Sequence, residues 1–283
     1  MRRSYTVGVY EKAFPESLTV PEMLKYAREA GYDFFELSID RTDQRIGRIY
    51  SSEFENELKT IDTQDMVPVY SMGLSAIGTY TLGSPDPSTV EKGMDILYHA
   101  VDFSERTGIR LIQIPACDTP KFDPRDEETD ARFLHNLKIA VEYASAHAVV
   151  LGLENMENDY MDSVEKCMRI LREINSPYLQ LYPDSGNTTN AWKNNLDNIL
   201  FDMEQGTGHY LAFHEKEVQP TRYGGLFYGE GHVNFEPLTR KAYDLGARRF
   251  VMEYWYTGNP DWKQDLQTAR NLCDSWISAE EKH

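Results

Sequence analysis

Eight short apolar runs recur along this chain, at residues 6–10, 34–39, 67–72, 110–115, 149–153, 179–182, 210–213 and 249–252, and segments of helical spacing fill most of the intervals. Several of the runs are apolar without alternation, as strands covered on both faces read. Strands that alternate with helices make βα units, and eight such units close a parallel barrel. The pattern predicts an α/β fold, a (β/α)8 TIM barrel, in a single domain over 1–283. A length of 283 residues suits one such barrel, and 41% hydrophobic content is enough to bury its core.

The intervals carry helix signals. Thr19 is a capping hydroxyl ahead of Pro21 in a first turn, and Gly31 stops that helix. Ser52 and Glu55 have the spacing of a capping box. Pro87 opens a long helix that Gly108 ends, Ser163 opens another, and further helices are expected over 127–147 and 262–277. The longer loops follow strands two, three, four and seven, all on one end of the barrel. Gly224-Gly225 and Gly229-Glu230-Gly231 read as flexible points of a lid after strand seven.

A formal charge of −17 argues against nucleic acid, which needs a cationic face to displace counterions. No apolar run approaches the length that spans a bilayer, so no membrane partner is expected. Cys117, Cys167 and Cys273 show no paired spacing, and the amino terminus lacks the pattern of a signal peptide. These features point to a reduced, cytoplasmic setting.

Four runs end in residues that could share one ion. Glu154 follows residues 149–153, Asp184 follows 179–183, His214 follows 210–213 and Glu253 follows 250–252. In a parallel barrel the carboxyl ends of neighbouring strands converge on one mouth, where the chemistry sits. Each residue alone has an ordinary reading: Glu154 as a solvated acid, Asp184 as a turn former, His214 as a core histidine. Their recurrence on four consecutive strands favours a common site. Three carboxylates and an imidazole suit one divalent metal ion, with Mn²⁺ or Zn²⁺ ahead of Co²⁺ or Mg²⁺. Glu154 and Glu253 would flank a chelated ketose, an arrangement that invites proton transfer from one face of a carbon and back to the other through a cis-enediolate.

The chain resembles the xylose-isomerase-like barrel superfamily of sugar epimerases and isomerases. It is most similar there to the L-ribulose-5-phosphate 3-epimerase (L-xylulose-5-phosphate 3-epimerase) family. The likeness covers most of the chain and rests on Phe35-Glu36-Leu37-Ser38-Ile39-Asp40, Arg45 to Ser51, Leu82-Gly83-Ser84, Gly108 to Gln113, Tyr182-Pro183-Asp184-Ser185-Gly186-Asn187, Gly229-Glu230-Gly231 and Met252-Glu253-Tyr254-Trp255. The resemblance implies that Glu154, Asp184, His214 and Glu253 hold one divalent metal, that Glu154 and Glu253 are the acid/base pair, and that the protein is a homodimer. The expected activity is metal-dependent inversion at C3 of a ketopentose 5-phosphate. The alternative is a ketose 3-epimerase or aldose–ketose isomerase acting on an unphosphorylated or other sugar.

The chain departs from that family in two loops. Members carry a His-Arg-Arg stretch after Ser-Ala beyond strand three, where this chain has Ser75-Ala76-Ile77-Gly78-Thr79. They carry Lys-Asp after the strand-seven histidine, where this chain has His214-Glu215-Lys216-Glu217. Arg45, Arg48, Lys216 and Arg222 are left as candidates for a phosphate, although Lys216 between two glutamates reads better as solvated or salt-bridged than as a substrate ligand. Asn187 and Glu157 are candidates for sugar hydroxyls. Glu36 and Gln113, polar within apolar strands, need either substrate or internal hydrogen bonds. A DNA-repair phosphodiesterase on the same barrel would cluster more metals and need several more histidines at the mouth and a basic face, whereas this chain has seven histidines in all and a strongly acidic balance. A non-catalytic sugar-binding barrel would bind without turnover.

Overall fold

The computed structural model describes residues 3–119 and 125–278. The strands are β1 Thr6–Tyr10, β2 Phe34–Ser38, β3 Val69–Gly73, β4 Leu111–Pro115, β5 Val150–Glu154, β6 Leu179–Leu181, β7 Phe213–Lys216 and β8 Arg249–Glu253. All pair in parallel, in the order β6-β5-β4-β3-β2-β1-β8-β7. Isolated parallel bridges Leu181–Tyr210 and Asp184–His214 join the two ends of that order, and the sheet closes into the predicted (β/α)8 barrel.

The helices among the described residues are α1 Val20–Glu29, α2 Asp43–Gly47, α3 Ser52–Lys59, α4 Pro87–Thr107, α5 Thr129–Ala146, α6 Val164–Ile174, α7 Ser185–Ala191, α8 Leu196–Glu204, α9 Phe235–Asp244 and α10 Trp262–Ser278. Thr19 and Glu22 form a reciprocal capping box on α1, and Gly108 ends α4 in the left-handed region at φ 85°. The predicted box at Ser52 and Glu55 is displaced by one residue: Ser51 is the cap, accepting from the Phe54 amide at 3.2 Å. Strand seven is also corrected. It runs from Phe213 through Lys216 instead of ending at Phe213, so His214 lies within the strand.

Two apolar layers follow from strand alternation. Residues such as Leu37, Ile112, Leu153, Phe213, Phe250 and Met252 point outward into a large core shared with the helices. The opposite face gives a small cluster of Tyr10, Phe34, Tyr182, Ala212 and Val251, with Tyr70 against it. Phe34, Tyr182, Ala212 and Val251 each precede by two positions a residue of the mouth: Glu36, Asp184, His214 and Glu253. The inner cluster therefore fills the barrel beneath the polar end, and the side chains above it have a solid floor.

Candidate metal centre

Glu154 ends β5, Glu253 ends β8, His214 is the second residue of β7, and Asp184 is the N-cap of α7 just past β6. Alternation carries all four side chains into the barrel. One ligating atom from each lies within 4.8 Å of the others, and all four residues are buried. The convergence expected from the sequence is present.

Each group is held from behind. Asp184 Oδ1 accepts from the Asn187 amide at 2.6 Å and faces Lys216 Nζ at 3.3 Å, while the Asp184 amide donates to Asn155 Oδ1 at 3.0 Å. Gln113 Nε2 donates to Glu154 Oε2. His214 Nδ1 stands 3.3 Å from Glu154 Oε1 and 2.8 Å from Glu253 Oε2. The second contact is close in distance but outside hydrogen-bonding geometry, and Glu253 Oε2 and Asp184 Oδ2 are buried with no hydrogen-bond partner among the described residues. Buried oxygens left this way cost about 1–3 kcal/mol each. A cation at the shared centre satisfies both, and three carboxylates with one imidazole match a divalent ion of the Mn²⁺, Zn²⁺, Co²⁺ or Mg²⁺ kind.

The electrostatics agree. Burial pushes the carboxyls of Glu154 and Asp184 above the usual carboxylate range, Asp184 well above it, despite the opposing charges of His214 and Lys216. Burial acts upward on Glu253 too, but there the charges of His214 and Lys216 win and bring it down to about 2. For His214 burial works downward, and the carboxylates of Glu253 and Glu36 outweigh it and hold the imidazole well above its ordinary value. Alone, the cage cannot carry all its negative charge, which is the condition a bound divalent cation relieves.

The other candidate residues divide. Lys216 is buried in the site, its Nζ donating to Asn187 Oδ1 at 2.9 Å, and Asn187 Nδ2 donates to the Asn155 carbonyl at 2.8 Å. Glu36 lies fully buried with Oε1 at 2.7 Å from His214 Nε2. Glu157 is half-buried in the loop after β5. Arg45 and Arg48 both turn onto the buried Glu11, at 2.6 and 2.8 Å. Arg222 is exposed and donates to the carbonyls of Gly224 and Gly225.

Sequence reasoning passed over Asn155, Ser71, Tyr182 and Tyr10. The Tyr182 ring packs 4.6 Å from that of His214 at a tilt of 47°, and Tyr10 approaches it at 6.5 Å. The expected flexible points after β7 are also corrected in part. Glu217 accepts from the amides of Val218 and Val233, both at 3.1 Å, and of Gly229 at 2.9 Å, which ties that segment to the strand end. Gly231 fits against this carboxylate because a Cβ there would fall 2.2 Å from Glu217 Oε1.

A family model described as xylose isomerase-like TIM barrel matches residues 24–272. Over 281 residues the chain is 33% identical to L-ribulose-5-phosphate 3-epimerase UlaE of Escherichia coli strain SE11, covering 99% of this chain and 96% of that protein. The UlaE of Shigella sonnei strain Ss046 matches to the same extent, 33% over 281 residues with 99% and 96% covered. Among solved structures, D-psicose 3-epimerase with D-tagatose from Clostridium cellulolyticum H10 superposes with a TM-score of 0.78 at 15% identity, covering 97% of this chain and 100% of that one. A structure of L-ribulose 3-epimerase gives 0.76 at 19% identity, with 99% and 100% covered. At such identities these two speak to the fold alone.

Proposed function

The chain belongs to the xylose isomerase-like TIM barrel family, and from that premise we propose that it is a divalent-metal-dependent epimerase inverting C3 of a ketopentose 5-phosphate of the L-ribulose/L-xylulose type. Its 33% identity to UlaE along the whole chain supports that substrate class. The observation that carries the chemistry is a pair of buried glutamates, Glu154 from β5 and Glu253 from β8, facing one centre.

Glu154, Asp184, His214 and Glu253 would hold the ion. When bound, it polarises the ketose carbonyl and acidifies the adjacent C–H. Glu154 and Glu253 then serve as the base and the acid: one removes the C3 proton, and the other delivers a proton to the opposite face of the resulting cis-enediolate. Gln113 holds Glu154 by one oxygen and leaves the other directed at the centre. At 5% and 8% exposure, both glutamates work with little competing water. Lys216 and Asn187, which bond each other at 2.9 Å, and Glu157 in the loop after β5 are assigned to the sugar hydroxyls in this reading. Assembly as a homodimer and a cytoplasmic location complete the proposal. Among the described residues no helix is long and apolar enough to cross a membrane.

A second reading, an unphosphorylated ketose, is favoured by one observation. The cations available for a phosphate already have partners: Arg45 and Arg48 on Glu11, Lys216 on Asp184 and Asn187, and Arg222 on backbone carbonyls. The segment Ser75–Gly78, where the family's basic loop would lie, is a short 3₁₀ turn with Ala76 and Ile77 buried. The test is turnover of L-ribulose 5-phosphate against L-ribulose with Mn²⁺ present. The first reading expects kcat/KM at least about tenfold higher for the phosphate ester, a difference of about 1.4 kcal/mol. Equal or reversed preference selects the second.

A further inference from the structure

We infer that Glu36 is a positioning residue for the metal centre, fixing the His214 ring so that its Nδ1 is presented to the ion; this rests on the metal-dependent reading above. Glu36 sits on β2, across the barrel from β7, and is 0% exposed. Three groups converge on its carboxylate. His214 Nε2 lies 2.7 Å from Oε1, and the hydroxyls of Ser71 and Tyr182 donate to Oε2 at 2.8 and 2.5 Å.

The direction of these bonds decides the role. With two hydroxyls donating to one oxygen, the carboxylate acts as acceptor throughout, so the ring hydrogen of His214 belongs on Nε2. A cation at the centre is then met by the Nδ1 lone pair, on the side where Glu154 Oε1 and Glu253 Oε2 stand at 3.3 and 2.8 Å. A histidine whose far nitrogen is held by a carboxylate has its tautomer and its ring orientation set together. The hydrogen bonds also explain how Glu36 can be buried, since both its oxygens are satisfied internally. It needs no sugar hydroxyl, and it lies on the side of the imidazole away from the other ligands. Ser71 from β3 and Tyr182 from the end of β6 hold it in turn, so strands well apart in the barrel combine to aim one ring.

Glu36→Gln tests this in the full-length protein, with Mn²⁺ affinity measured by calorimetry and Co²⁺ bound as a spectroscopic probe. Loss of a carboxylate that holds the far nitrogen of a metal-bound histidine typically weakens metal affinity by about 10–100-fold. That loss is the expected result, together with an altered Co²⁺ ligand-field spectrum and activity that recovers in excess metal. Wild-type affinity in the variant, even with a lowered melting temperature, overturns the inference, because a merely structural role moves stability and leaves the affinity alone. If Glu36→Gln does not fold, Tyr182→Phe replaces it, with a smaller loss of at least about threefold in affinity expected, and no change overturns the inference equally. Failure of the wild-type protein to bind either metal would instead bring down the metal-dependent reading itself.

Discussion

Asp184 and His214 face each other in an isolated parallel bridge, with the His214 amide donating to the Pro183 carbonyl at 2.9 Å, at the one seam where the sheet closes without a continuous ladder. Two of the four candidate ligands therefore come from the two strands least strongly joined. A cation between them would tie β6 to β7 where backbone pairing is thin.

Removing the ion should cost stability as well as activity. At about 100 times its Kd a ligand adds about 2.7 kcal/mol. For a chain of this size that corresponds to about 5–11 °C in melting temperature. Thermal melts in chelator and in Mn²⁺ measure the difference, and coincident curves would contradict a resident ion.

Glu154→Gln and Glu253→Gln should each reduce kcat by about 10²–10⁴, the usual contribution of a positioned acid or base. The circular dichroism spectrum should be unchanged. Steady-state kinetics at saturating metal decide it, and full turnover in either variant would refute the two-base assignment.

Turnover in deuterium oxide should place label at C3 of the recovered ketose. Nuclear magnetic resonance of the product reads the position. Label at C1 would show isomerase chemistry instead.

Gly186→Ala should loosen the site from outside it. A Cβ there would lie 2.5 Å from Val218 Cγ1 and 2.8 Å from the Lys216 carbonyl, so α7 must move off β7. Overpacking of this sort costs about 1–3 kcal/mol. Since Asp184 caps α7, metal affinity should fall along with the denaturation midpoint.

Lys216→Met should destabilise the metal-free protein by about 1–3 kcal/mol, as expected when a buried polar group loses its partner. The affected group is Asp184, whose carboxyl keeps only its bond from the Asn187 amide. Urea titrations in chelator and with Mn²⁺ check this, with the smaller effect expected when metal is bound.

The candidate ligands were legible because each follows an apolar run, and a strand that stops at a polar residue marks the barrel's mouth. Lys216 was harder to place. With β7 read as ending at Phe213, it fell in a loop between two glutamates; continued alternation from His214 points it inward and its neighbours Glu215 and Glu217 elsewhere. Arg45 and Arg48 looked available because Glu11, which holds both, lies more than thirty residues away in the chain. Local pattern cannot reveal a partner brought in by the fold. The same holds for Glu36: its burial cost was visible in the sequence, but Tyr182, 146 positions on, was not visible as part of the remedy.

The crowding of Glu36, Glu154, Asp184 and Glu253 about one imidazole and one ammonium also bears on the order of binding. On the proposed function, a sugar ester reaching the cavity before the cation would meet an excess of carboxylates over cationic groups, so the cation is expected to bind first.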